Sequence, residues 1–289
     1  MGNRSFRSLT VTALALSAFV VGCGGDDGGG GDGPGGGGDS DFDAAHSWST
    51  GANDVVVRLD RVGEVMPEQF DFLHLPAVLI AGDGALYTPA PVVAPYPGPL
   101  VPLMDVRTVT PQGIDATLAL ADANGLLTDP PEYTIPEGFS EVDEWVVTIN
   151  ADGGSFVHEA VAIGFDGRAE SDPDRRRLQQ FTDALPQLDV VIGAAHFGLP
   201  AAFVPEEYRI RAVAVDPADF GRNGQEATVR PWPGALLGVA LADAGDCARV
   251  AYEDASEILD PVDQLTLFED GGEAYQLFVA PVLPGDGLC

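Results

Sequence analysis

Eighteen residues near the start of the chain decide which part of it can fold. Residues 24–41, GGDDGGGGDGPGGGGDSD, hold eleven glycines and no large apolar side chain. Such a run cannot bury enough surface to offset its ordering entropy, so a flexible, self-repelling coil is expected. At roughly 5–6 Å times the square root of its length, its typical reach is about 20–25 Å. Its aspartates lack the alternating order and closing glutamate of a calcium loop, which leaves a surface tether as the reading. Any core must come from the residues C-terminal to this run. With 45% hydrophobic residues in the chain, that core can form.

Charge narrows the partners. The 289 residues carry 14 Lys+Arg against 45 Asp+Glu, a formal net charge of −31, and every basic residue is an arginine. From Cys23 onward 12 arginines face the 45 acids, a balance of −33. Such a surface repels nucleic-acid phosphates and acidic head groups, so no nucleic-acid partner is expected.

The segment before the tether reads as an address. Arg4 and Arg7 form a positive start, and Leu9 to Val21 give thirteen mostly apolar residues. That length falls short of the roughly 20 residues needed to span a bilayer but suits a secretory signal. The stretch ends in Val20-Val21-Gly22-Cys23, which resembles a bacterial lipobox. The resemblance implies cleavage before Cys23, acylation of its sulfur and a membrane partner held through the lipid; two or more chains anchor stably where one does not. The organisation expected is a signal peptide at 1–22, lipidated Cys23 and tether at 23–45, an α+β lobe at 46–190 and a smaller α+β lobe at 191–289. With Cys23 lipidated, Cys247 and Cys289 remain, and in an exported domain they most simply pair. A closed loop of about 40 residues would contribute roughly 3–4 kcal/mol in the chain-entropy picture.

The body alternates short apolar runs with turn signals. Val55 to Leu59 reads as a strand; Leu75 to Ile80 and Ala85 to Tyr87 read as a hairpin turning at Gly82–Gly84. Thr88 to Pro102 holds six prolines, which excludes a central strand and predicts an edge or surface course. A helix is predicted from N-cap Thr110 and Pro111 to the stop at Asn124-Gly125, with Ile114, Leu118 and Ala121 on one face. A second hairpin turns at Asp152-Gly153-Gly154. A second helix starts at Asp172-Pro173-Asp174, with Leu178, Phe181 and Leu185 inward. Later strands are expected at Tyr208–Val215 and Ala227–Arg230, then a short helix at Asp254–Leu259 and a hairpin turning at Asp270-Gly271-Gly272. Aligned without gaps, Val147–Ala162 and Leu265–Ala280 match at six of sixteen positions; duplication and convergence on one turn both explain this. The class is α+β: antiparallel hairpins with a few amphipathic helices packed on the sheet. Two related lobes joined near Leu185–Pro205 are one arrangement it allows.

Several motifs taken together carry a resemblance. Leu75-Pro76, Gly82-Asp83-Gly84, Tyr96-Pro97-Gly98-Pro99, Val106-Arg107 and the closing Val279, Pro281-Val282-Leu283-Pro284 and Cys289 resemble uncharacterised secreted or lipid-anchored proteins of actinobacterial type. The resemblance spans roughly residues 54 to 289. It implies an exported address and the late disulfide, and no activity.

Catalytic signatures are sparse. His46, His74, His158 and His196 have no short helical zinc spacing, and no G-x-S-x-G elbow, P-loop or dinucleotide fingerprint occurs, so no cofactor is expected. The densest acid cluster in the body, Asp166, Glu170, Asp172 and Asp174, offers hard oxygen ligands for calcium, with helix capping as the competing account. Arg175-Arg176-Arg177 reads as a partly solvated helix face. Tyr87, Tyr96 and Pro97 are the weak binding candidates, as aromatic and proline positions on a presented loop. The expected function is a cell-envelope lipoprotein, outside a membrane, whose body is a non-enzymatic binding module for an envelope or extracellular protein. The alternatives are a proteinaceous inhibitor presenting the proline loop and a carboxylate-dependent secreted hydrolase.

Overall fold

In a computed structural model, which describes residues 44–63, 72–91, 97–135, 143–164, 171–220, 226–287 and 289, the valine-rich run becomes the central strand of a sheet. Strand β1 (Val55–Val62) has β2 (Val78–Ala81) on one side and β5 (Glu144–Ala151) on the other. β3 (Ala85–Pro89), β4 (Met104–Thr108), β6 (Gly154–Val161) and the two-residue β7 (Ala201–Ala202) complete the order β6-β5-β1-β2-β3-β4-β7, antiparallel throughout. Strand alternation sends Val57 and Leu59 to one face and Arg58 and Asp60 to the other. A β-bulge between Val55 and Val57 adds Val56 to the apolar side.

Two helices cover that apolar face. In α1 (Pro111–Ala123) the Thr110 side chain accepts from the Gly113 N–H at 3.1 Å, and Ile114, Leu118 and Ala121 turn inward as their spacing predicts. In α2 (Pro173–Ala184) Asp172 is the N-cap, and Leu178 and Phe181 are fully buried. These residues pack against Leu59, Ile80, Val147 and Ile149 in one core.

The chain adds β7 to this first sheet before it builds the second, which comprises β8 (Glu207–Ala214), β9 (Thr228–Pro231), β10 (Ala248–Ala251), β11 (Thr266–Asp270) and β12 (Glu273–Pro281). Their order is β10-β8-β12-β11-β9, antiparallel except for the β9–β11 pair. Tyr208, Ile210 and Ala212 face a core shared with Leu237 of α3 (Gly234–Leu237) and with Ala255 and Leu259 of α4 (Tyr252–Leu259). The fold is therefore α+β, and both sheets lie in one compact unit, Asp41–Cys289.

The proline segment departs from the expected surface course. Its described end crosses to the second core, where Leu100 and Val101 are buried. Leu100 N–H donates to Val262 O at 3.0 Å, and Gln264 N–H to Gly98 O at 3.0 Å. Proline cannot donate, so the pairing runs through the glycine and leucine between prolines.

The two D-G-G hairpins also prove inequivalent. In the first, Ala151 pairs with Gly154 and the turn residues are Asp152 and Gly153, both at positive φ. In the second, Asp270 pairs with Glu273 and the turn residues are Gly271 and Gly272. The matched letters thus occupy positions one residue apart, a slip that reverses which face each side chain takes. Together with the different strand orders, this favours convergence on a tight turn over duplication.

Candidate functional site

The polar face of β1 is where the two sheets meet. Arg58 donates from Nε to Asp60 Oδ2 at 2.8 Å and from Nη1 to Asp286 Oδ1 at 3.2 Å. On the second sheet Arg209 of β8 and Arg249 of β10 are direct cross-strand partners. Strand alternation puts both on the face opposite Ile210 and Val250. Like charges so placed repel unless neutralised.

The neutralising groups come from two places. Arg249 donates to Glu207 Oε2 at 2.9 Å and to Gly287 O at 2.7 Å. Asp286 Oδ2 lies 3.8 Å from Arg209 Nη1, while Arg209 Nη2 donates to His74 O at 3.1 Å. Burial pulls the Arg209 guanidinium below the usual arginine value; Asp286 offsets part of this, and Arg58 and Arg249 add to it. Burial also opposes ionisation of Asp60, but His74, 3.1 Å away, and Arg58 outweigh it and hold that carboxyl below the usual range.

The C-terminal turn that supplies Asp286 is built for this position. Leu283 N–H donates to Asp286 Oδ2 at 3.1 Å and Asp286 N–H returns to Leu283 O at 3.1 Å. Gly285 sits at φ +78°, and a Cβ there would lie 2.5 Å from Val55 Cγ2, so glycine is required on both counts. The Cys247–Cys289 disulfide, Cα–Cα 5.1 Å, ties the end of this segment to the residue before β10. Fixed φ, close packing and a covalent link together hold one acid between arginines of two sheets.

Beside this junction lies a cleft of about 390 Å³, at the small end of ligand-site volumes. Tyr87, Phe203, Val204 and Leu283 give it an apolar lining, and Glu206, Glu207 and Arg249 a charged one. The Tyr87 and Phe203 rings meet edge to face with centroids 4.9 Å apart. Glu207 is engaged by Arg249, whereas Glu206 is exposed and has no ion-pair partner among the described residues. The two glutamates are neighbours in sequence, and one of them is already paired with an arginine.

The residues singled out from sequence scatter. Tyr87, expected on a presented loop, is only 9% exposed and forms part of the cleft wall. Pro97 is half-buried, and Tyr96 lies outside the described residues, as do Cys23, Asp166 and Glu170. Asp172 accepts from the N–H groups of Asp174 and Arg175, and Asp174 pairs with Arg177. Capping and local pairing thus account for both described members of the acid cluster. Among the described residues no His, Cys, Asp and Glu group could hold a metal, and no helix is long and apolar enough to cross a membrane. Arg175, expected on a partly solvated face, is instead buried, with Nη1 donating to Thr134 O and Nη2 to Val161 O.

His46, Ser47 and Asp152 meet unexpectedly. His46 Nδ1 and Ser47 Oγ both bond the Asp152 carboxylate, at 2.9 and 3.2 Å. A charge-relay order would place the serine on the imidazole instead. The trio fastens residues 46–47 to the β5–β6 turn, and its bonds hold the Asp152 carboxyl below the usual range.

His158 is fully buried in β6. Its Nε2 donates to Leu126 O at 2.9 Å and its Nδ1 accepts from Tyr133 OH at 2.8 Å. Burial pushes the Tyr133 hydroxyl up to about 12, so it stays protonated and donates. Burial likewise lowers the His158 pKa, partly offset by the Leu126 carbonyl. The unfolded state then binds the proton more readily, so stability is fully present above the ordinary value of about 6.5 and falls as pH drops below it. Denaturant unfolding at pH 7 and at pH 5.5 should show this loss, and His158→Phe should flatten the slope. An equal slope in the variant would assign the effect to other groups.

No protein-family model matches the chain, and neither a curated protein nor a solved structure shows significant similarity to it. The site must be read from its own chemistry.

Proposed function

We propose that the chain is a cell-envelope lipoprotein, exported and held by an acylated Cys23 on the outer face of a membrane. Its body acts as a non-enzymatic binding module for another envelope or extracellular protein. The lipobox-like Val20-Val21-Gly22-Cys23 and the glycine-rich run support the anchor and leash. The Cys247–Cys289 pair supports an oxidising compartment. The resemblance to secreted actinobacterial-type proteins belongs to the same proposal.

The observation that carries the binding reading is the cleft beside the arginine junction. Its wall combines aromatic, aliphatic and charged side chains, the mixture that orients a bound group. Glu207 is already committed to Arg249 at 2.9 Å, which disfavours paired-acid hydrolysis there. In-cell crosslinking of the full lipoprotein, with mass spectrometry of the captured material, tests the reading. One reproducible protein partner is expected; a repeatedly empty result would sink the protein-binding module.

A further inference from the structure

We propose that the cleft receives the basic side chain of a partner polypeptide, an arginine or lysine inserted with its alkyl stem against the apolar wall and its cation at Glu206. The proposal rests on the binding-module reading and names the chemistry that the cleft selects.

Three observations converge on a cation. The first is local charge balance. Of the charged residues lining the cleft, Arg249 and Glu207 neutralise one another at 2.9 Å, which leaves Glu206 as the uncompensated group. Arg249 is also committed by its second terminal nitrogen, which donates to Gly287 O. The Arg249 Nε is buried and has no hydrogen-bond partner, but an anion reaching it would sit beside both Glu206 and Glu207.

The second is the nature of the walls. Tyr87 and Phe203 line the same cleft as that carboxylate, and aromatic rings attract ammonium and guanidinium groups through the quadrupole of the ring. Val204, 60% exposed, and the half-buried Val282 offer aliphatic surface along which a long basic side chain can lay its methylenes while its head reaches the charge. A small inorganic cation would gain nothing from these apolar walls.

The third is the field of the whole molecule. Beyond residue 22 the chain carries −33, which attracts a basic partner at long range, against the local opposition of the three arginines at the junction. Such steering raises association rates and falls steeply with salt. The polypeptide source is favoured over a free cation by the apolar surface beside the cleft. By extension of the β4–β7 register, in which Asp105 pairs with Ala202, Leu103 lies opposite Val204; these two are 55% and 60% exposed. A chain flanking the inserted side chain would cover them, and a free cation would not.

The test titrates the full-length protein in non-ionic detergent with N-acetyl-arginine methylamide, read by calorimetry and by NMR shifts of the Tyr87 and Phe203 rings. N-acetyl-glutamate methylamide and N-acetyl-glutamine methylamide serve as charge controls. The arginine derivative is expected to bind and the controls at least tenfold more weakly. Glu206→Gln should cost about tenfold, and Phe203→Ala several-fold. Glu206 is exposed, so its variant tests the cleft without threatening the fold. Undiminished binding to Glu206→Gln, or equal binding of the acidic control, would overturn the proposal.

Crosslinking in cells with Glu206→Gln separates this proposal from the broader reading. Loss of the captured protein supports the cleft as its docking point. Full capture by the variant overturns the cleft while leaving the binding module standing. Binding of the arginine derivative with no protein captured overturns the polypeptide occupant and the protein-binding module together.

Discussion

Replacing Asp286 by alanine is expected to lower the unfolding free energy by about 3–5 kcal/mol, the usual cost of removing one partner from a buried charge cluster. The Asp286 side chain is only 6% exposed and stands between Arg58 and Arg209. Without it Arg58 retains Asp60, but Arg209 keeps the His74 carbonyl and loses its nearest counter-charge. Two guanidiniums from different sheets, 20% and 22% exposed, would then repel one another with no carboxylate between them. The Leu283 N–H would also lose its acceptor, and an unsatisfied buried donor costs about 1–3 kcal/mol.

A loss of this size is a large share of the roughly 5–15 kcal/mol that stabilises an ordinary domain. Asp286→Asn is the informative companion, because it keeps a hydrogen-bond acceptor and removes only the charge. It should fall between wild type and Asp286→Ala. Guanidinium unfolding with the disulfide intact measures all three. A cost under about 1 kcal/mol for Asp286→Ala, the range of exposed pairs, would show that solvent screens the arginines and that the junction is not held by charge.

Replacing Cys23 by alanine is expected to move the protein from the membrane fraction to the medium almost completely. Among the described residues no helix is long and apolar enough to cross a bilayer, and the net charge of the chain repels anionic lipid. In the proposed lipoprotein, attachment rests on the acyl chains, each buried methylene contributing about 0.8 kcal/mol. The released protein should keep its circular dichroism spectrum and unfolding midpoint, since Cys23 precedes the compact unit that begins at Asp41. Fractionation and immunoblotting read the outcome. Retention of Cys23→Ala in the membrane would sink the lipid anchor and leave an ordinary secretory signal.

Much of the fold was legible because its signals are local. Thr110-Pro111 and Asp172-Pro173 announce helix starts by the hydrogen bonds their side chains can make, and both do so. Turns obey the same logic, since Asp152-Gly153 and Gly271-Gly272 adopt the positive φ that tight hairpins need. The disulfide pair was legible by count. Three readings fared less well. Arg175 looked solvated because charge predicts exposure on average, yet two backbone carbonyls from elsewhere in the chain draw it inside. Tyr87 and the proline segment looked presented because nothing local reveals the distant residues that cover them, Phe203 and Leu283 for Tyr87 and the second core for Leu100 and Val101.

What the sequence alone determined is most of the elements, though not β7, β10 or α3, together with the inward faces of the two long helices, because these are written within a turn or two of the chain. The acidic character and the late cysteine pair follow from composition. The junction and the cleft were decided only by the tertiary structure. Arg58 and Asp286 lie 228 residues apart, and the arginine that faces Arg209 arrives on a strand 40 residues later. Contacts across such distances leave no periodicity to read. They exist because the second face of the first sheet, where buried Leu79, Ala81, Tyr87 and Met104 lie beside Arg58 and Asp60, meets the C-terminal segment through Leu283 and Asp286.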